Sequence, residues 1–310
     1  MKPRLAGVYP PIPTPFTRTG DVDFDGLTAN IHKWNETRLS GYVVLGSNGE
    51  SVYLTESEKV DVLAATIGAA GEGKEVIAGT GCESTAATIT LSQAAAEVGA
   101  VAALVLNPHF FGLSDAALEA HFVAVADASP IPVIVYNVPK FTGTNLDAPL
   151  VSRLATHANI VGLKDSSGNL GQMSSILGGS PSDFRVLSGT ANIVYGACLM
   201  GCAGAISALA NIAPNPLLDL VDLVASGDHQ EARELQLRLL PANVAITATY
   251  GVPGLKAAMD MCGYAGGFPR KPLLPISPEE ESIIRQILQT AGLLWLRGGE
   301  TGRRGEEGSK

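Results

Sequence analysis

The chain has 310 residues, 46% of them hydrophobic and 16% charged, and a net charge of −9. That length suits one large core with an appendage, or two ordinary domains. The acidic balance without a basic stripe argues against a nucleic-acid partner, and no run of about 18 uncharged apolar residues marks a membrane span. Cys82, Cys198, Cys202 and Cys262 are too few and too scattered for a disulfide framework. Cys198 and Cys202 fall four apart on a predicted helix and read as small core residues, since no nearby His or Asp completes a metal set. Strand-like sequence begins almost at once and leaves no room for a signal peptide, which points to a cytoplasmic protein.

Short apolar, β-rich runs alternate with longer stretches of helical spacing. Strands are predicted at Ala6–Pro10, Tyr42–Leu45, Glu75–Ala78, Ala102–Leu106, Pro132–Tyr136, Ile160–Leu163, Phe184–Leu187 and Gly204–Ile206. Helices are predicted at Asp23–Thr37, Thr55–Ala70, Ser84–Val98, Ser114–Ala128, Ala148–His157, Leu170–Gly178, Ala191–Met200 and Asn215–Ser226. Thr55-Glu-Ser-Glu58 has capping-box spacing, and Ser114 or Asp165 would open other helices. Near-continuous apolar strands imply a sheet covered on both faces. Eight strand–helix units in about 226 residues imply an α/β fold, a closed (β/α)8 TIM barrel. Asp228–Val244, a glycine-proline bend at Gly251-Val-Pro-Gly254 followed by a short helix, and Pro278–Leu294 would form a C-terminal helical appendage. The division is therefore 1–226 barrel, 227–296 helical region and 297–310 polar, glycine-rich disordered tail.

In such a barrel the chemistry sits at the C-terminal strand ends. These ends read Gly46-Ser-Asn-Gly-Glu50, Asn107-Pro-His-Phe110, Tyr136-Asn137, Lys164-Asp165, Ser188-Gly-Thr190 and Ser207. Lys164 closes a short apolar run. An amine desolvated at a strand tip loses its proton more easily and can condense with a keto group; the plain alternative is snorkelling or pairing with Asp165. Tyr136 could carry a proton to and from a substrate hydroxyl, or simply pack in the core. The Ser47–Asn48 loop has the composition of a backbone nest for a carboxylate, or of an ordinary turn.

Gly46-Ser-Asn-Gly-Glu50, Tyr136-Asn-Val-Pro139 and Gly162-Leu-Lys-Asp165 together resemble the signatures of the dihydrodipicolinate synthase / N-acetylneuraminate lyase family, in order and separation, over about Gly7 to Leu294. Gly79-Thr-Gly-Cys-Glu-Ser-Thr85, Asn159–Asp165 and Gly251-Val-Pro-Gly-Leu-Lys256 most nearly resemble its 4-hydroxy-2-oxoglutarate aldolase branch. The resemblance implies a pyruvate-type Schiff base on Lys164 with Tyr136 as proton shuttle. Ser47, Asn48, Gly189 and the carbonyl of Ile206 would hold the carboxylate of a small 2-oxo acid. It further implies a homotetramer, a dimer of dimers, with no metal or organic cofactor.

Three positions depart from the family pattern. Phe141 stands where the synthase branch has an arginine that grips the aldehyde's carboxylate, and Lys140 beside it would point elsewhere. Phe110 matches a tyrosine that a neighbouring subunit lends to the proton relay; His109 could substitute for it or be an ordinary loop histidine. Glu83 takes the place of that branch's lysine-feedback asparagine. The expectation is an imine-forming carbon–carbon lyase that cleaves a 2-oxo acid such as 4-hydroxy-2-oxoglutarate to pyruvate and an aldehyde. The alternatives are dihydrodipicolinate synthase, a 2-keto-3-deoxy sugar acid aldolase or dehydratase, and a non-catalytic 2-oxo acid binding protein.

Overall fold

A computed structural model describes residues 3–294, so the expected disordered tail lies outside the described residues. The sheet has eight parallel strands, β1 (Gly7–Tyr9), β2 (Gly41–Val44), β3 (Glu75–Gly79), β4 (Ala102–Leu106), β5 (Val133–Asn137), β6 (Ile160–Asp165), β7 (Arg185–Ser188) and β8 (Gly204–Ile206), and each from β2 to β7 pairs with the next in sequence. β8 pairs with β1 in the register Gly7–Gly204. Between β1 and β2 the ring is joined by Ser40 N–H to the Val8 carbonyl (3.0 Å), Val43 N–H to Pro10 (3.0 Å) and Ile12 N–H to Val43 (2.9 Å). Helices cover the outside, as the apolar strand pattern requires. Among the described residues no helix is long and apolar enough to cross a membrane.

The barrel interior is filled by Tyr9, Val43, Ile77, Leu104, Ile134, Leu187 and Ile206. Where β8 begins beside β1 there is no room for a side chain: a Cβ on Gly204 (φ 144°) would lie 1.9 Å from the Gly7 carbonyl oxygen. Tyr9 donates a hydrogen bond to Glu75, and burial, with Glu75 beside it, pushes the phenol well above its ordinary range.

Most predicted elements are found with shifts of a residue or two; the helix predicted at Ala148–His157 stops at Leu154, and Ala191–Met200 divides into a 3-10 turn Ala191–Ile193 and a helix Val194–Leu199. β6 continues through Lys164 and Asp165, because both pair with β5 and β7 (Tyr136–Lys164, Asp165–Ser188). The lysine therefore stands inside the strand. The next helix, Leu170–Gly179, is capped by Asn169 and not by Asp165, whose carboxylate accepts from Asn137 and from the Ser167 N–H instead. Thr55 does form its capping box with Glu58, and Ser114 caps Asp115–Ala128. The last helix stops at Thr290 and not at Leu294, since Gly292 takes φ 72° and turns the chain out of the helix.

The C-terminal segment runs as helix His229–Val244, a wider π turn Ala245–Thr249, helix Gly251–Met261 and helix Pro278–Thr290. Gly251-Val-Pro-Gly254 is thus the first turn of a helix, where a proline needs no N–H donor, and not a bend. Leu239, Ile246, Leu255, Met259 and Leu288 share one apolar cluster with Trp34 and Leu217 of the barrel's outer helices. We place the division between barrel and appendage at Gly227, whose φ of 87° ends helix Pro214–Ser226. Arg270, in the loop between the last two helices, makes two hydrogen bonds to the Glu58 carboxylate (2.8 and 2.6 Å) and holds that acid down at about 2. A depressed carboxyl contributes stability that is present above its ordinary value of 4.5 and is lost as pH falls toward 2. Glu58→Gln should therefore flatten the decline of stability across that acid window, as read by urea melts at successive pH values.

Candidate active site

The C-terminal strand ends gather the residues singled out from the sequence. Lys164 of β6 is 2% exposed, and its Nζ lies 4.1 Å from the centroid of the Tyr136 ring on the adjoining strand β5. Strand pairing makes this inevitable: Tyr136 and Lys164 are register partners, so both side chains leave the sheet on the same side, into the barrel. The Tyr136 hydroxyl shares a 3.4 Å hydrogen bond with Ser47 Oγ. Burial pushes this phenol up, but the charge of Lys164 and hydrogen bonds from Ser47, Ser166 and Lys164 outweigh that and hold it below its ordinary value. A phenol so placed gives up and takes back a proton readily beside an amine.

The loop after β2 is two consecutive 3-10 turns, Ser47–Gly49 and Ser51–Tyr53, joined at Glu50. It holds two glycines, Gly46 and Gly49, yet neither takes a positive φ. The left-handed residues are instead Leu45 (φ 61°) and Glu50 (φ 55°), and each costs roughly 1 kcal/mol or more. Asn48 Nδ2 donates to the Pro11 carbonyl at 3.4 Å. Glu50 is 1% exposed, its carboxylate paired with Lys256, itself 1% exposed, on helix Gly251–Met261. The Arg270 N–H also donates to Glu50 (2.8 Å).

Gly189 follows β7, its N–H donating to the Asp165 carbonyl at 2.7 Å. A Cβ there would sit 2.0 Å from Ser166 Oγ and 2.9 Å from the Asp165 carbonyl oxygen. Gly189→Ala should consequently drive the Ser166 hydroxyl off Tyr136 and lower kcat/KM by roughly 10- to 100-fold in steady-state assays. Ile206 is the last residue of β8 and is fully buried beside Tyr9.

The residues weighed for the relay and for specificity have these partners within the chain. His109 bonds to Glu83 (Nδ1 to Oε1, 2.8 Å), and the other oxygen of Glu83 accepts the N–H groups of His109 (3.0 Å) and Phe110 (2.9 Å). Glu83 thus ties down the loop after β4. Phe110 is 78% exposed and packs edge-on to Phe111. Phe141 is also exposed, and Lys140 beside it donates to the Thr247 carbonyl (3.2 Å). Three participants were not evident from the sequence: Ser166, Glu50 and Lys256. Ser166 follows Lys164-Asp165 directly, which was the available signal. For the buried pair, the signal was a charged residue inside each of two otherwise small-residue and apolar motifs. Cys202 is buried, with burial raising its thiol to about 12, in keeping with a core role; Cys198, raised to about 11, is partly buried. A cavity of about 570 Å³ lined by Arg4, His157 and Arg185 opens at the opposite, N-terminal end of the barrel, away from these groups.

Residues 4–291 match the model of the dihydrodipicolinate synthetase family. The chain belongs to that family. Its members are carbon–carbon lyases and synthases that act through Schiff-base chemistry, and this chain is such an enzyme. It is 37% identical to 4-hydroxy-tetrahydrodipicolinate synthase of Methanothrix thermoacetophila over 91% of this chain and 95% of that one. The same enzyme of Methanococcoides burtonii is also 37% identical, over 93% and 99%. Among solved structures, YagE, a protein of the same family from E. coli K12 in complex with pyruvate, superposes with a TM-score of 0.88 at 30% identity, covering 94% of this chain and 99% of that one. DapA-2 of Bacillus anthracis gives 0.90 at 29%, over 93% and 99%. These similarities support the family named from the sequence. They do not support the expected closeness to the 4-hydroxy-2-oxoglutarate aldolase branch, since both archaeal relatives carry the synthase name.

Proposed function

We propose that Lys164 forms an imine with the keto carbon of pyruvate and that the chain makes or breaks a carbon–carbon bond at the neighbouring methyl carbon. The single observation that carries this is the buried Lys164 amine set 4.1 Å from the ring centroid of Tyr136 inside the barrel mouth. The amine attacks the ketone, the carbinolamine loses water, and Tyr136 supplies and recovers the protons. Loss of a proton from the methyl carbon gives an enamine, which attacks an aldehyde carbon; cleavage is the same sequence reversed. Ser47, Asn48, Gly189 and the Ile206 carbonyl hold the carboxylate end.

For the acceptor, the relatives' names favour aspartate semialdehyde, as in 4-hydroxy-tetrahydrodipicolinate synthesis. A specific observation favours a second reading: Phe141 offers no cation for that substrate's carboxylate, and Lys140 is bonded to Thr247. On this reading the aldehyde is glyoxylate or a sugar-derived aldehyde, and the physiological direction is cleavage of 4-hydroxy-2-oxoglutarate or a 2-keto-3-deoxy acid. The functional unit on either reading is a homotetramer, with the exposed Phe110 and Phe111 at a subunit contact. Borohydride reduction with pyruvate, followed by mass spectrometry, tests the imine; an unmodified Lys164 peptide would refute it. Coupled assays with pyruvate plus aspartate semialdehyde, and with 4-hydroxy-2-oxoglutarate, then choose the reaction. Trapping without turnover of either would favour a 2-oxo acid binding protein.

A further inference from the structure

The loop carrying Ser47 and Asn48 is fastened from behind by the C-terminal segment. Its junction residue, Glu50, is held left-handed and presents a buried carboxylate to Lys256 and to the Arg270 N–H. Lys256 Nζ also donates to the Phe268 carbonyl (2.7 Å), and the Arg270 guanidinium donates to the Tyr53 carbonyl (2.9 Å) at the end of the second turn. Both cations lie over the face of Phe16, at 4.5 and 4.3 Å from its centroid. From the barrel side, Thr14 donates to the Gly49 carbonyl (2.8 Å). Stability alone does not account for a buried ion pair here. Desolvation of two charges offsets most of their attraction, and apolar residues of similar volume commonly serve as well. What such a pair does supply is a fixed geometry, at a strained residue two positions from Asn48.

We propose that the Glu50–Lys256 pair is a positioning device for the carboxylate-binding loop, holding Ser47 and Asn48 where the carboxylate of a 2-oxo acid is received. This rests on the reading of Lys164 as the imine-forming residue. It carries a pH signature. The groups facing Lys256 are Glu50, Asp260 of its own helix and Arg270; burial outweighs the attraction of Glu50 and brings the amine down to about 8. Above that pH the amine loses its charge, and the ion pair is reduced to a weaker neutral hydrogen bond beside the backbone contact from Arg270.

The test compares Glu50→Gln/Lys256→Met, which removes both charges together, with Lys256→Arg, which keeps the cation at every pH. Leu288→Ala, a core truncation in the same C-terminal helices, is the control for general loosening. The expected result for the double variant is a pyruvate KM raised about tenfold or more, kcat within about twofold, and borohydride trapping on Lys164 intact at saturating pyruvate. In the wild-type enzyme KM should rise above about pH 8, and Lys256→Arg should suppress that rise. An unchanged KM in the double variant, or an equal rise in Leu288→Ala, overturns the proposal. Should the double variant not fold, the pH profiles decide: a flat wild-type KM from pH 7 to 9.5, or a rise that persists in Lys256→Arg, overturns it equally. Loss of trapping in the wild-type enzyme would instead count against the imine reading, which separates the two failures.

Discussion

Lys164→Ala should abolish turnover, with a loss on the order of 10⁴- to 10⁶-fold, and should also abolish borohydride trapping by pyruvate. No neighbouring group can replace the nucleophile. Tyr136 beside it, and Ser47 bonded to Tyr136, form no stable adduct with a ketone, and the other lysine buried among the described residues, Lys256, is committed to Glu50 and the Phe268 carbonyl. The loss should fall on kcat and on imine formation together, because the covalent bond is made before any carbon–carbon chemistry begins. Stability should move the opposite way. Keeping an amine in a barrel interior costs desolvation, and alanine removes that cost, so the variant should melt no lower than the wild type. A variant that melts much lower and is inactive for that reason would separate a structural from a chemical role. Retained trapping, with any other lysine as the modified site, would refute the assignment.

The second large effect is expected at Tyr136. Tyr136→Phe keeps the ring that Lys164 Nζ approaches and removes only the hydroxyl shared with Ser47. Removing a general acid–base group typically costs 10²- to 10⁴-fold, and kcat should fall by about that amount. Trapping should persist with slower onset, since the amine is still present. The pH profile adds a sharper reading. With Lys164, Ser47 and Ser166 holding the phenol below its ordinary value, the alkaline limb of kcat that reports it should lie under the usual tyrosine range near 10. That limb should disappear from the profile of the phenylalanine variant. A limb unchanged in position would assign it to another group and remove Tyr136 from the relay.

The two readings of the acceptor differ at one subsite. The carboxylate of aspartate semialdehyde, held at that subsite, calls for a planar, two-pronged cation, and Phe141 cannot supply it. Relatives at 37% identity favour the synthase, while the exposed aromatic ring favours an aldehyde with no charge to be held at that position. The assays separate them without reference to ancestry, which is appropriate where one barrel hosts many reactions.

Much of this protein was legible in its amino-acid order. The alternation of apolar runs with helical spacing set the number, sequence and parallel sense of the strands, and the strand ends pointed to Lys164 and Tyr136. Thr55 and Ser114 marked their helix starts, because a cap is made within three residues of itself. Tertiary structure decided the rest. Pairing with β5 and β7 carried β6 through Lys164, and the close passage of Gly189 over Ser166 set the polar wall beside Tyr136. The charge network behind the carboxylate loop joins Glu50 to residues as much as 220 positions away. Periodicity and capping are settled among near neighbours, whereas a buried charge finds its partner only once the ring of strands has closed and the C-terminal helices have packed against it.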